Sequence, residues 1–355
     1  MTVSHVDVAV VGGGICGLST AHALRRRGVE VQLFEAATPG SGQSAGRTRV
    51  FRHGHDDERL VRLAARARAE WERLEEELGV RLLGQEGVLV CGPNVPERAA
   101  AFEAAGVPAW RVDRNGQAEA LPVMAPPEAE ALFDELGGST DVRAAVDGLA
   151  AALGERIVSA RVFELGARAE GVILRTSEGL WSADRVIVCA GAQVHALSEQ
   201  LGLDIPLKIE VHTRASFRVH EPGVRLACLQ DRSGAHGEVV YAAPMPDARE
   251  YAIGLGTEHE PPVDEALGRL RAYAERGMPG LDPEPVSVRL CKTSILPWGA
   301  DAFAVWRAGA VDVLAGANLF KFAPLVGELL AEGSDDLSPE RQLGGGAVAT
   351  SPDGR

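Results

Sequence analysis

Val6-Asp7-Val8-Ala9-Val10-Val11-Gly12-Gly13-Gly14-Ile15-Cys16-Gly17 stands near the start of the sequence and decides how the rest is read. The apolar run over 6–11 fits a strand buried on both faces, and the stretch from Leu18 to Arg27 reads as a helix. A second apolar run, Val29 to Phe34, ends in Glu35, 18 residues beyond Gly17. Strand, glycine turn, helix, strand and terminal acid make a βαβ unit with G-x-G-x-x-G at its turn, the pattern of a dinucleotide site. Gly12 makes the tight turn, Gly14 lets the backbone approach a pyrophosphate, and Gly17 lets helix and strand pack closely. Backbone N–H groups where the helix begins, at Ile15, are expected to face the phosphates. Glu35 is expected to accept hydrogen bonds from ribose hydroxyls. The plain alternative is a glycine turn without a ligand, and Cys16 reads as a small packing residue.

Composition excludes several classes of function. With 355 residues, 46% of them hydrophobic, the chain can bury a large core, so a disordered or fibrous protein is ruled out. A formal net charge of -14 and a pI of 5.2 oppose binding to nucleic acid or to an anionic membrane. Cys16, Cys91, Cys189, Cys228 and Cys291 are scattered, without ligand spacing, so neither a disulfide framework nor a zinc site is expected. The apolar stretch from Val8 to Leu24 is no signal peptide, because Asp7 precedes it and glycines interrupt it. No other run approaches the roughly 20 apolar residues of a membrane span. The expectation is a cytoplasmic protein, and a monomer is compatible with it.

Further along, Asp57 to Leu78 carries apolar residues at helical spacing, and Val142 to Leu153 and Glu265 to Arg276 also read as helices. Short alternating stretches between Arg81 and Arg111, and again at Glu210 to Val219, Glu238 to Ala243 and Tyr251 to Leu255, read as strands of a different sheet. The expected fold class is α/β: a Rossmann-type nucleotide-binding domain in three pieces, 1–80, 141–204 and 287–333, with an antiparallel-sheet (α+β) substrate domain inserted as 81–140 and 205–286. The tail, 334–355, is expected to be disordered. His53, His55, Asp56 and Asp57 invite a metal assignment, but their spacing demands none, and a solvated helix start accounts for them.

The segment Gly42-Gln43-Ser44-Ala45-Gly46-Arg47-Thr48-Arg49-Val50-Phe51-Arg52-His53 is similar to the flavin-facing segment of the monomeric sarcosine oxidase and N-methyltryptophan oxidase family, within the D-amino-acid-oxidase-like group. Glu86-Gly87-Val88-Leu89-Val90, Val186-Ile187-Val188-Cys189-Ala190-Gly191-Ala192, Arg289-Leu290-Cys291-Lys292-Thr293 and Phe320-Lys321-Phe322 extend the match in the same order. The resemblance implies FAD as the cofactor, linked covalently to Cys291, and oxidation of a small amine or amino acid by hydride transfer, with oxygen or another acceptor taking the electrons. It implies cofactor contacts from Thr48, Arg49, Val162, Gly191 and Lys321, beside Gly12, Gly14, Ile15, Gly17 and Glu35. Arg49 would lie against the flavin ring. Arg52 and Lys321 would bind a substrate carboxylate, and Tyr241 would be an active-site tyrosine.

Three departures qualify the resemblance. The position of a lysine that serves oxygen activation in the family is Gly254 here, the glycine-rich segment before Phe320 is two residues shorter, and an aspartate expected after the cysteine strand is missing around Val305-Trp306-Arg307. They point to an unusual substrate, in specialised metabolism, rather than sarcosine. A flavin dehydrogenase or desaturase with poor oxygen reactivity, an NAD-dependent dehydrogenase, and a flavin-binding protein without catalysis are the competing readings.

Overall fold

The computed structural model describes residues 3–168, 171–256 and 261–345. Among them are two eight-stranded sheets and a two-stranded ribbon. In the first sheet, Ser4–Val11 lies at the centre, parallel to Val31–Glu35 on one side and to Gly179–Val188 on the other. Ile157–Ser159 extends one flank and Val311–Gly316 the other, both parallel, and Phe303–Ala308 closes that edge antiparallel. Alternation along the central strand serves two cores. Val8 and Val10 meet the helices Ile15–Arg26, Glu58–Leu78, Val142–Leu153 and Ala323–Glu332, while Ala9 and Val11 face the opposite layer. Both faces being covered is why this strand reads as an unbroken apolar run.

The second sheet runs, in spatial order, Leu281–Ile295, Lys208–Val219, Glu250–Leu255, Val240–Pro244, Cys228–Asp231, Val88–Cys91, Ala131–Asp134 and Trp110–Val112. It is antiparallel except where Cys228–Asp231 meets Val88–Cys91. The helix Val263–Gly277 covers one face, burying Leu270 and Tyr273 against Phe217, Ile253 and Leu255. The other face is turned to the first sheet. Thr48–Phe51 pairs with Gly138–Asp141 in a ribbon between the two.

Several expectations change on contact with the coordinates. The stretch from Arg81 to Arg111 contains a helix, Val95–Ala105, with Val95 and Phe102 buried. The strand Leu281–Ile295 runs unbroken across 286/287, so Cys291 belongs to the second sheet, and the chain re-enters the first only at Phe303. The expected disordered tail does not describe 334–345: Leu337 and Leu343 are buried, and the Gly344 N–H donates to the carboxylate of Asp57 at 3.0 Å. The remainder of that tail, 346–355, lies outside the described residues. His53 and His55 are not part of a solvated helix start either, since both are 1% exposed and paired with carboxylates. Asp57 does start the helix, accepting from the Arg59 N–H at 2.9 Å. No described helix is long and apolar enough to cross a membrane.

Candidate active site

A cavity of about 880 Å³ opens between the two sheets, within the range of small-molecule and cofactor sites. One end is lined by the turn that decided the fold. Gly12 has φ +107°, and a Cβ there would lie 2.5 Å from the carbonyl oxygen of Cys189. Gly14 lines the cavity just ahead of the helix Ile15–Arg26. Gly17 does not reach the cavity; a Cβ on it would lie 1.9 Å from the Gly12 carbonyl oxygen, so its task is the close contact of helix and turn. Two of the N–H groups in this turn already have protein acceptors: Gly13 donates to Glu35 Oε2 at 2.6 Å and Ile15 to Ser44 Oγ at 2.9 Å. Glu35 also accepts from Ala37 at 2.8 Å through Oε1, and each carboxylate oxygen keeps a further acceptor site. Val162 and the exposed Phe163 flank this end.

The middle of the cavity is walled by both sheets. Gly191, with φ +55°, lies against Gln43, whose amide donates to the Lys292 carbonyl at 2.7 Å and so ties the first sheet's loop to the strand of Cys291. Cys291 is half-buried and lines the cavity. Thr48 is buried, and its hydroxyl has no partner at the cavity wall. Arg49 is anchored by the carbonyls of Thr48, Ala45 and Gln43 and lies 6.0 Å from the Phe320 ring. Burial, with the charge of Arg214 added, lowers the Arg49 pKa to about 9, against the opposing pull of Cys291 and Tyr241.

On the second sheet, Arg214, Gly254 and Tyr241 lie in one row across three strands. The Arg214 Nε donates to the Tyr241 hydroxyl at 2.9 Å, with the guanidinium 4.9 Å from the ring. A Cβ at Gly254 would meet the Tyr241 Cζ and Oη at 2.5 Å. The phenol therefore fills the space that a side chain at 254 would need, which gives the glycine a physical reason.

At the far end, Arg52 and Lys321 converge, but not on open space. Asp301 takes the Arg52 Nη2 at 2.6 Å, the His55 Nδ1 at 3.1 Å and the Asn318 Nδ2 at 2.8 Å, and Lys321 Nζ lies 3.5 Å away. Burial would raise the Asp301 carboxyl, but Arg52, Lys321 and His55 outweigh it and hold it well below the usual carboxylate range. Burial lowers Lys321 to about 8 despite Asp301, and burial together with Arg52 holds His55 far below its ordinary value, so the imidazole is neutral at pH 7. An aspartate does follow the strand of Cys291, ten residues after the cysteine, in the loop 296–302. Pattern reading missed Asp301, His55 and Arg214. The turn Gly299-Ala300-Asp301 was the available signal for the first, and the strand alternation of 208–219 for the last.

The glycine cradle, the unpartnered Thr48 hydroxyl, the acid at Glu35 and the size of the cavity fit a dinucleotide. Residues 7–333 match the family described as FAD dependent oxidoreductase, and the chain belongs to that family. It is 27% identical over 365 residues to the monomeric sarcosine oxidase of Arthrobacter sp. (strain TE1826), covering 92% of this chain and 91% of that one. It is 32% identical to the monomeric sarcosine oxidase of Bacillus sp. (strain B-0618) over 218 residues, a match to 58% of this chain and 56% of the relative. The N-methyl-L-tryptophan oxidase of Yersinia pestis (strain Pestoides F) is 26% identical over 76% of each chain. Solved structures share the fold. NikD, an unusual amino acid oxidase essential for nikkomycin biosynthesis, in its open form, superposes with a TM-score of 0.82 at 23% identity, covering 99% of this chain and 100% of that one. The L-proline dehydrogenase of P. horikoshii superposes with a TM-score of 0.84 at 21% identity, covering 96% and 98%. The protein is an FAD-dependent oxidoreductase of the amine and amino-acid oxidising kind.

Proposed function

We propose that this enzyme oxidises a carbon–nitrogen bond in a small secondary amine or amino acid, in specialised metabolism. The observation that carries the reading is one cavity with a glycine cradle and Glu35 at one end and the Arg52–Asp301–Lys321 cluster at the other. When bound, FAD supplies the redox chemistry, accepting a hydride from the C–H beside the nitrogen so that an imine leaves, and passing the electrons to oxygen with peroxide as product. The chain's own residues hold and orient. Gly12, Gly14, Ile15, Glu35, Val162 and Gly191 would take the nucleotide end, and Thr48 would donate its hydroxyl to the cofactor. Arg49, anchored by three carbonyls, would hold positive charge toward the flavin and so stabilise its anionic reduced form. Tyr241, held by Arg214, and the cluster at Arg52 and Lys321 face the substrate.

Cys291 is the proposed point of covalent attachment, supported by its place on the cavity wall. The five cysteines stand as free thiols, which agrees with a reducing, cytoplasmic setting. Anaerobic mixing of the purified yellow protein with a panel of secondary amines and cyclic amino acids tests the reading: flavin bleaching is expected, and its absence across the panel sinks it. A second reading, a dehydrogenase that reacts poorly with oxygen, is favoured by Gly254 and the phenol packed over it. Stopped-flow mixing of the reduced enzyme with oxygen separates the two.

A further inference from the structure

The cationic corner of the cavity contains its own anion. Arg52 spends both terminal nitrogens inside the protein: Nη2 on Asp301, and Nη1 on the Gly54 carbonyl and beside His55 Nδ1. Lys321 Nζ donates to the Asn318 carbonyl at 3.0 Å, lies 3.5 Å from Asp301 and sits 4.7 Å from the Phe322 ring. Asp301 is equally engaged. A carboxylate offers about four acceptor sites, and here Arg52, His55, Asn318 and Lys321 surround it. Asn318, in the left-handed region at φ +54°, pins the arrangement by also donating to the Ala300 carbonyl at 3.2 Å.

A substrate acid anchored at this corner would need a fork of donors aimed at it. It would compete with the 2.6 Å Arg52–Asp301 pair, and drawing Arg52 away would leave the partly buried Asp301 carboxylate with fewer partners, which is costly. A neutral amine needs neither. We propose that Asp301 is an internal stand-in for a substrate carboxylate, and that this site takes amines with no carboxylate on the carbon next to nitrogen. The inference deepens the reading of the cavity as an amine-oxidising site and rests on it. Asp301 is then a specificity-determining residue that acts through Arg52 and Lys321. The charge left over in the corner is positive, which repels an ammonium and favours the neutral amine, the form able to give up hydride.

The test uses flavin-loaded wild type, Asp301→Ala and Asp301→Asn with three matched pairs: dimethylamine and sarcosine, pyrrolidine and proline, piperidine and pipecolate. Anaerobic bleaching gives a limiting rate and a half-saturation concentration for each. Wild type is expected to favour the amine of a pair by about tenfold or more, and Asp301→Ala to move that ratio at least about tenfold towards the acid, chiefly through half-saturation. Asp301→Asn, which keeps the shape, is expected to move it the same way and serves if the alanine variant does not fold. A wild-type preference for the acids, or an unchanged ratio in both variants, overturns the proposal. If no probe bleaches the flavin, the amine-oxidising reading is what has failed, and binding still decides the role of Asp301. Pyrrole-2-carboxylate, titrated against flavin absorbance, should then bind the variants about tenfold tighter than wild type, and equal binding rejects the stand-in.

Discussion

Gly254, Tyr241 and Lys321 illustrate what single residues do in this site. At Gly254 the absent side chain is explained by the Tyr241 phenol, so putting a Cβ back forces either the ring or the strand to move. Gly254→Ala should cost about 1–3 kcal/mol in urea unfolding, the usual range for overpacking. In a Tyr241→Ala background the same change should cost much less, and equal costs in the two backgrounds would show that the ring is not the obstacle. Lys321 gives a prediction about pH. Its folded pKa, about 8, lies below the ordinary lysine value, so between the two the unfolded chain binds more protons and stability rises with pH. The unfolding free energy of wild type minus that of Lys321→Met should therefore increase by roughly 2–3 kcal/mol from pH 7.5 to 10.5. A flat difference would mean that Lys321 titrates as an exposed lysine does. The grouping of residues was legible in the sequence to this extent: Arg49, Arg52, Tyr241, Cys291 and Lys321, singled out there, all line one cavity. The ion pairing was not, because Asp301 and His55 lie 246 residues apart and nothing in local spacing brings them to 3.1 Å.

Among the elements, the glycine turn and its helix were readable because their requirements are local. Positive φ at Gly12 and backbone clearance at both Gly12 and Gly17 leave few residues that can serve there. Gly17→Ala pushes a Cβ to 1.9 Å from the Gly12 carbonyl oxygen, and separating helix from turn is the only relief. It should lower stability by more than about 3 kcal/mol and reduce the flavin retained per chain, read from the ratio of visible to ultraviolet absorbance. Gly268 makes the contrast: it is exposed in the middle of Val263–Gly277 with nothing near its Cβ position, so Gly268→Ala should stabilise by about 0.5–1 kcal/mol. Two elements escaped local reading for physical reasons. Val95–Ala105 holds five alanines and few large apolar residues, so it lacks a strong apolar stripe, and its placement depends on Val95 and Phe102 packing under the second sheet. Leu281–Ile295 leaves Val286, Val288 and Leu290 exposed, which obscures the alternation that marks a half-buried strand.

At the scale of the whole molecule, the cavity belongs to neither sheet alone. Gly12 and Gly191 come from the first, Tyr241 and Cys291 from the second, and the Gln43–Lys292 bond joins the walls. A ligand that touches both walls is linked to the folding of both. FAD at 100 times its dissociation constant should stabilise by about 2.7 kcal/mol if attachment is reversible, and a covalent link should make the gain independent of added cofactor. The distribution of that gain is the sharper measurement. Amide exchange should slow on loading both in the turn over 12–17 and along Leu281–Ile295, while Trp110–Val112, at the opposite edge of the second sheet and outside the cavity lining, should change little. Slowing confined to the first sheet would mean that the cofactor is held by the nucleotide end alone, and the roles given to Cys291 and Tyr241 would fall with it.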